Sequence, residues 1–432
     1  MSMASCRVKK VREELVVPFE PTPCATLPLS SIDHALGLAF MVEMISVYPY
    51  NNREPRRRAV ILPAAKVIRE ALAKALVPYY PVAGRLVYSD GGHVEVTCNG
   101  EGVWFVEAAV TNDSLGNMNE WESIPDSIVK EELLPSSPAY MKQEEMILMM
   151  QVTHFQCGGF IVGFKFNHLV FDGLGFGQFL KAIGEIACGQ THPSVNPIWH
   201  REVFSVPPML SKSDSSFITT KFGIVNSTYD FSIQTIRRLK EQIAKETSNI
   251  QFTTFEIVTA IIWKCRTQAI DVIGDVSLGF VADVRHLLDR LPEARGYYGN
   301  CIYLLTVTAT SEQIMKASLA ELVRLIRDAK ESLPTKFKEW ASGNFKEDPN
   351  KMSISYNTLI LSDWRCIEFY ETNYGWGRPH SIWPIIHDSP FASGIILKQP
   401  LPKDGVRFEG PSVMKEHEQR FMNEINKCIN FS

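Results

Sequence analysis

Between Phe160 and Cys188 the chain changes its hydrophobic period. Phe160–Phe166 alternates as a strand does, and Phe176–Cys188 carries apolar residues at helical spacing, with Gly189 placed to cap its end. The glycine-rich turn Gly173-Leu-Gly175 joins the two. A strand feeding a helix through a short turn has to bury one face of each, so the chain can only fold with mixed α and β layers.

The same alternation runs through both halves. Ala64–Val77 sets Val67, Ile68, Ala71, Leu72, Ala75 and Leu76 on one helical stripe, stopped at Tyr79-Tyr80-Pro81. Two β-rich runs then flank Asp90-Gly91-Gly92, a hairpin signal because glycine accepts positive φ in the turn. Met146–Val152 reads as another strand before the corner Cys157-Gly158-Gly159. Further on, helices are expected over 231–246, 254–269 and, as one long piece, 314–333, ended near Pro334; strands are expected over 276–281 and 301–308. The polar tract 336–351 reads as a surface loop. No period of 20–50 residues repeats, which excludes a solenoid or propeller. The stretch from about 196, rich in proline and serine, reads as a crossover. The expected layout is therefore an N-terminal domain over 1–195, a linker over 196–218 and a C-terminal domain over 219–432, each α/β with mixed sheets.

Composition narrows the function classes. Lys and Arg number 44 against 48 Asp and Glu, a balance of −4, so no broad positive field exists to hold a nucleic-acid backbone. Nine cysteines show no Cys-x-x-Cys pair, and no secretory signal opens the sequence. The expectation is reduced thiols, used as packing, in a cytoplasmic protein. No run approaches 18 consecutive apolar residues, so no membrane partner is expected.

His168 carries the strongest chemical signal. It stands at the end of a strand, just before a turn that starts a helix, where a rigid support can present a side chain. A histidine so placed can take a proton near neutral pH if one ring nitrogen faces a substrate and a partner fixes the other. Spacing alone fits a histidine satisfied within the core equally well. Asp172 follows four residues later and can shape the turn. His168 and Asp172 make at most two metal ligands, so no metal is expected. The glycines of Gly173-x-Gly175-x-Gly177 are wrongly spaced for a dinucleotide fingerprint, and no Gly-x-Ser-x-Gly elbow is present.

The His168-x-x-x-Asp172-Gly173 signature, together with Asn373-Tyr-Gly375-Trp376-Gly377-Arg378-Pro, resembles the plant BAHD acyl-CoA-dependent acyltransferases. Leu29-Ser-Ser-Ile-Asp33, Tyr79-Tyr-Pro-Val-Ala-Gly-Arg-Leu86, Thr254-Phe-Glu256, Ala282-Asp-Val-Arg285 and Tyr297-Tyr-Gly-Asn300 support the resemblance in the same order. The resemblance implies two similar chloramphenicol-acetyltransferase-like domains with a channel at their interface. It also implies direct transfer in a ternary complex, with His168 as general base. Acyl-CoA is then a co-substrate, a small molecule the acceptor, no cofactor is permanently bound, and one chain, a monomer, completes the site.

The remaining roles follow from the same resemblance. Ser362 and Trp364 are expected to donate to the oxyanion. Asp172, Gly173, Arg285, Asn300, Asn373, Gly375, Trp376 and Gly377 are expected to be architectural. Thr253, Thr254, Lys264, Arg266 and Arg378 are expected to meet the CoA phosphates. The family's second motif normally begins with Asp, thought to pair with the arginine that is Arg285 here, and a neutral amide cannot make that bidentate ion pair. Glu371 or Asp283 is expected to take its place. Tyr374 and Ser362-Asp-Trp364 resemble the benzoyl/taxane and monolignol hydroxycinnamoyl branch. Acylation of an alcohol by an aromatic donor is the leading expectation. N-acylation of an aromatic amine or polyamine, hydrolysis to the free acid, and an inactive member serving as a binding protein are the rivals.

Overall fold

The computed structural model describes residues 7–34, 38–50, 63–89, 93–110, 118–204, 223–247, 250–288, 294–345, 355–387, 389 and 391–430. Its contacts divide the chain into two compact units. One contains residues 1–205, 288–301 and 367–385, the other 206–287, 302–366 and 386–432. Each unit is discontinuous in sequence, whereas a single break over 196–218 was expected. Residues 196–204 go with the first unit, where Ile198 donates its N–H to Gly296 O at 2.8 Å. The rest of that linker, 205–218, and the Asp90-Gly91-Gly92 turn lie outside the described residues.

In chain order the first unit holds β1 (Val8–Val16), β2 (Ala25–Pro28), β3 (Met41–Tyr48), α1 (Ala64–Ala75), β4 (Arg85–Tyr88), β5 (Val94–Cys98), β6 (Val103–Val110), β7 (Leu148–His154), β8 (Phe160–Asn167) and α2 (Gly173–Ala187). A late strand, β13 (Ser381–Pro384), completes a six-stranded sheet of order β1-β6-β7-β8-β3-β13. Only β6 and β7 run parallel in it; β2, β5 and β4 form a smaller antiparallel sheet. β8 lies between β7 and β3 and is buried along almost its whole length. Burying each of its large apolar side chains contributes about 1.5–3 kcal/mol, which makes β8 a stiff base for the residue that follows it.

α2 starts at Gly173, three residues before the expected Phe176, because Asp172 caps it by accepting the Gly175 N–H. Phe164, Phe166, Phe171, Phe176 and Phe179 pack beneath the turn, Phe166 and Phe176 stacked at 3.9 Å. At Gly175 the backbone approach decides the residue: a Cβ there would lie 1.9 Å from Tyr298 O. Close packing, not phosphate binding, accounts for that glycine.

The second unit holds β9 (Ile224–Ser232), α3 (Ile233–Glu246), α4 (Thr254–Ile270), β10 (Asp275–Asp283), β11 (Ile302–Thr310), α5 (Ser311–Lys316), α6 (Leu319–Glu331), α7 (Leu333–Ala341), β12 (Thr358–Asp363), β14 (Ala392–Lys398), β15 (Gly405–Met414) and α8 (Glu418–Asn430). Its six-stranded sheet has the order β11-β10-β12-β14-β15-β9, with β12 parallel to both neighbours. Three expectations fail in this unit. The long helix over 314–333 is broken, since Ala317 is extended and Ser318 opens α6 with a capping box to Glu321. Pro334 does not end a helix; it sits in the first turn of α7, where no N–H is needed. The tract 336–351 is helical through Ala341, and its residues 346–351 lie outside the described residues.

Candidate active site

His168 directly follows β8 and is half-buried. Its backbone N–H donates to Phe40 O at 3.0 Å, and the Phe40 ring lies 5.2 Å from the imidazole. Asn300 is buried and comes from a distant segment of the same unit. Its Nδ2 donates to Asp33 Oδ1 at 2.8 Å and to His168 O at 2.7 Å, and its Oδ1 lies 3.1 Å from His168 Nδ1. Two acceptors facing Nδ2 fix the orientation of the amide, so the end toward the ring is the carbonyl. The ring nitrogen against it must be the donor, Nδ1–H, which leaves Nε2 with the lone pair. Burial holds the imidazole below the ordinary histidine value. Asp172, Asp33 and the Asn300 bond push the other way without overcoming it. The ring is therefore neutral at pH 7, with the base end at Nε2.

Asp172 faces the backbone. One oxygen accepts the Gly175 N–H at 2.8 Å and the other the Cys301 N–H at 3.0 Å, so it ties the turn to the residue after Asn300. Gly173 opens α2 against Ile367.

The second motif builds a different turn. Asn373 Oδ1 accepts N–H groups from Gly375 at 2.8 Å and Gly377 at 3.0 Å, and both glycines have positive φ, +103° and +89°. Trp376 meets Phe160 edge-on at 5.5 Å, and Tyr374 is buried 5.4 Å from Tyr48. Arg285, in the second unit, donates to Asp283 Oδ1 at 2.8 Å, so one of the two expected carboxylates is in place. Glu371 pairs with Arg378 at 2.8 Å.

Ser362 and Trp364 stand at the end of β12. Ser362 is opposite Ile395 in β14, and Trp364 donates its backbone N–H to Ile396 O at 2.9 Å. Thr253 is the N-cap of α4, accepting the Glu256 N–H at 3.2 Å, and Thr254 is the first residue of that helix. Lys264 Nζ donates to Ala317 O, and Arg378 is largely exposed. Arg266 corrects the expectation of a phosphate contact. It is 1% exposed, donates to Ser412 O at 2.7 Å and to Tyr356 O, and lies over the Tyr356 ring. Desolvation lowers its pKa to about 10. A guanidinium buried in the core and turned toward core carbonyls is out of reach of a phosphate.

Asp33 and Arg201 were absent from the expected site. Asp33 accepts Arg201 Nη1 on both oxygens, at 2.8 and 3.0 Å, with both side chains at 0% exposure. Ser30-x-x-Asp33 offered a local sign, since the two residues cap each other's backbone N–H. Arg201 lay inside the stretch read as linker and offered none.

A family profile described as the Transferase family matches residues 6–408. The chain is 38% identical over 444 residues to a myricetin 3-O-glucosyl 1,2-rhamnoside 6'-O-caffeoyltransferase of Crocosmia x crocosmiiflora, covering 98% of this chain and 99% of the relative. Vinorine synthase matches in structure with a TM-score of 0.72 at 21% identity, over 98% of each chain. TRI101 of F. sporotrichioides, complexed with coenzyme A and T-2, matches at 0.67 and 16%, over 92% of this chain and 97% of that one. At such identities the two structures show the fold, mixed α/β with two sheet-rich halves.

Proposed function

The chain belongs to the BAHD acyltransferase family, and from that premise we propose that it moves an aromatic acyl group, hydroxycinnamoyl or benzoyl, from coenzyme A to a hydroxyl of a plant specialised metabolite such as a monolignol. The acyltransferase class is the family's. The donor is supported by the caffeoyltransferase relative, and coenzyme A by the neighbour bound to it.

The observation that carries the mechanism is the contact of His168 Nδ1 with Asn300 Oδ1. It puts the lone pair on Nε2, which takes the acceptor's hydroxyl proton as the oxygen attacks the thioester carbonyl. The tetrahedral intermediate then expels the CoA thiolate, and the imidazolium returns its proton to that sulfur. No acyl-enzyme forms. Bringing two substrates together is worth about 7–11 kcal/mol in good geometry, and a general base about 10²–10⁴-fold. The oxyanion requires preorganised donors, and Ser362 Oγ–H and Trp364 Nε1–H are the groups proposed for it. Lys264, Arg378 and the hydroxyls of Thr253 and Thr254 are proposed for the CoA phosphates.

The test is a matrix of acyl-CoAs against alcohols and amines, read by product mass. Esters of aromatic acyl groups are expected. Products confined to amides, or CoA release that is independent of any acceptor, would refute the proposal in favour of N-acylation or hydrolysis.

A further inference from the structure

The polar network behind the imidazole continues past Asn300 into the Asp33–Arg201 pair. Arg201 Nη2 donates to Val170 O at 2.7 Å, two residues beyond His168. Its guanidinium lies 4.3 Å from the Trp199 ring, 5.4 Å from Tyr297 and 5.7 Å from Tyr298. Gly299 makes room for it: a Cβ there would lie 1.7 Å from Arg201 Nη1. The segments around Asp33, His168, Arg201 and Asn300 thus close on one buried charge pair.

Stability alone does not call for such a pair. Ion pairs taken out of water lose hydration that their attraction barely returns, and well-packed apolar replacements are often as stable or more so. An asparagine amide has nearly the same shape either way round, so its partners decide which end points where. The Asp33 carboxylate can only accept, and together with His168 O it draws Nδ2. The opposite orientation would give His168 Nδ1 a donor, move the ring proton to Nε2 and remove the base.

We propose that Asp33 and Arg201 are positioning residues for the reaction: together they set the orientation of Asn300, and through it the imidazole nitrogen that takes the acceptor's proton. Arg201 acts by holding both Asp33 oxygens, and the three aromatic rings hold Arg201. The kinetic part rests on the function proposed above; the tautomer part does not.

The test uses the full chain labelled with ¹⁵N-histidine, with His168→Gln identifying the His168 signals among the ten histidines. Above neutral pH the wild type is expected to show Nδ1–H for His168, and Nε2–H there would overturn the proposal without any variant. Asp33→Asn is expected to populate Nε2–H and lower kcat by about tenfold or more, with KM for both substrates unchanged. Arg201→Lys keeps the charge, loses the fork and should fall between. If Asp33→Asn leaves Arg201 unbalanced and does not fold, Asp33→Asn/Arg201→Gln removes both charges and is expected to show the same tautomer change. A folded variant that keeps pure Nδ1–H overturns the proposal, whatever its kcat. If the tautomer shifts as stated but no donor ever yields product, the acyl-transfer reading fails and this inference stands.

Discussion

The turns at Asp172 and Asn373 use one device for different ends. Each places a side-chain oxygen on two backbone N–H groups, Gly175 and Cys301 for Asp172, Gly375 and Gly377 for Asn373. At Asp172 both bonds are buried and one reaches a residue 129 positions away. At Asn373 both partners lie within four residues and the first is exposed. The Asp172 side chain therefore fixes a distant segment beside a titratable ring, whereas the Asn373 side chain ties together its own loop. A carboxylate and an amide oxygen serve equally well for the local task, which is why Asn is tolerated at 373.

The comparison breaks most visibly at the base. His168→Ala should lower kcat by about 10²–10⁴-fold in a product-mass assay, and transfer at the wild-type rate would sink the mechanism. Next comes stability. Asp172→Ala removes a helix cap and strands a buried N–H, so a loss of about 2–4 kcal/mol is expected in denaturant unfolding. The corresponding Asn373→Ala should cost about 1 kcal/mol, and equal losses would erase the difference between the two turns.

The pH profile sharpens the contrast further. Desolvation lowers the His168 pKa against the opposing pull of Asp172 and Asp33, with Arg201 behind Asp33. The neutral ring is the active form, so kcat/KM should be full at neutral pH and fall only as pH drops through a value below about 6.5. An acid limb above that value would contradict the burial of the ring. The smallest effect is expected for Asn373→Asp: stability unchanged or slightly higher, turnover little changed and the acid limb unmoved. A large rise in turnover would show that position 373 takes part in the chemistry.

Local patterns were readable where a few neighbouring residues decide the outcome. The strand run of β8, the helical stripe of α1 and the span of α4 all follow from residue patterns within one element. The break before α6 was also written locally, in Ser318-Leu-Ala-Glu321, but the continuous apolar spacing masked it. β9 was hidden for another reason. Among the described residues it is an edge strand paired only with β15, and its burial does not alternate cleanly. β13 has four residues and becomes a strand by pairing with β3, more than 300 positions earlier. Arg266 looked like one more cation on a helix, and nothing in its neighbours announces Ser412 and Tyr356 as its partners.

By itself the sequence determined the strand–turn–helix that presents His168, the cap at Asp172 and the glycines that close packing demands, because these depend on bonds and contacts spanning a few residues or on the absence of a Cβ. Only the tertiary structure decided which way the Asn300 amide points and that Asp33 and Arg201 stand behind it. Those contacts join residues 132, 168 and 267 positions apart. The orientation of an amide is set by the acceptors that meet it in space, and no local pattern along the chain encodes them.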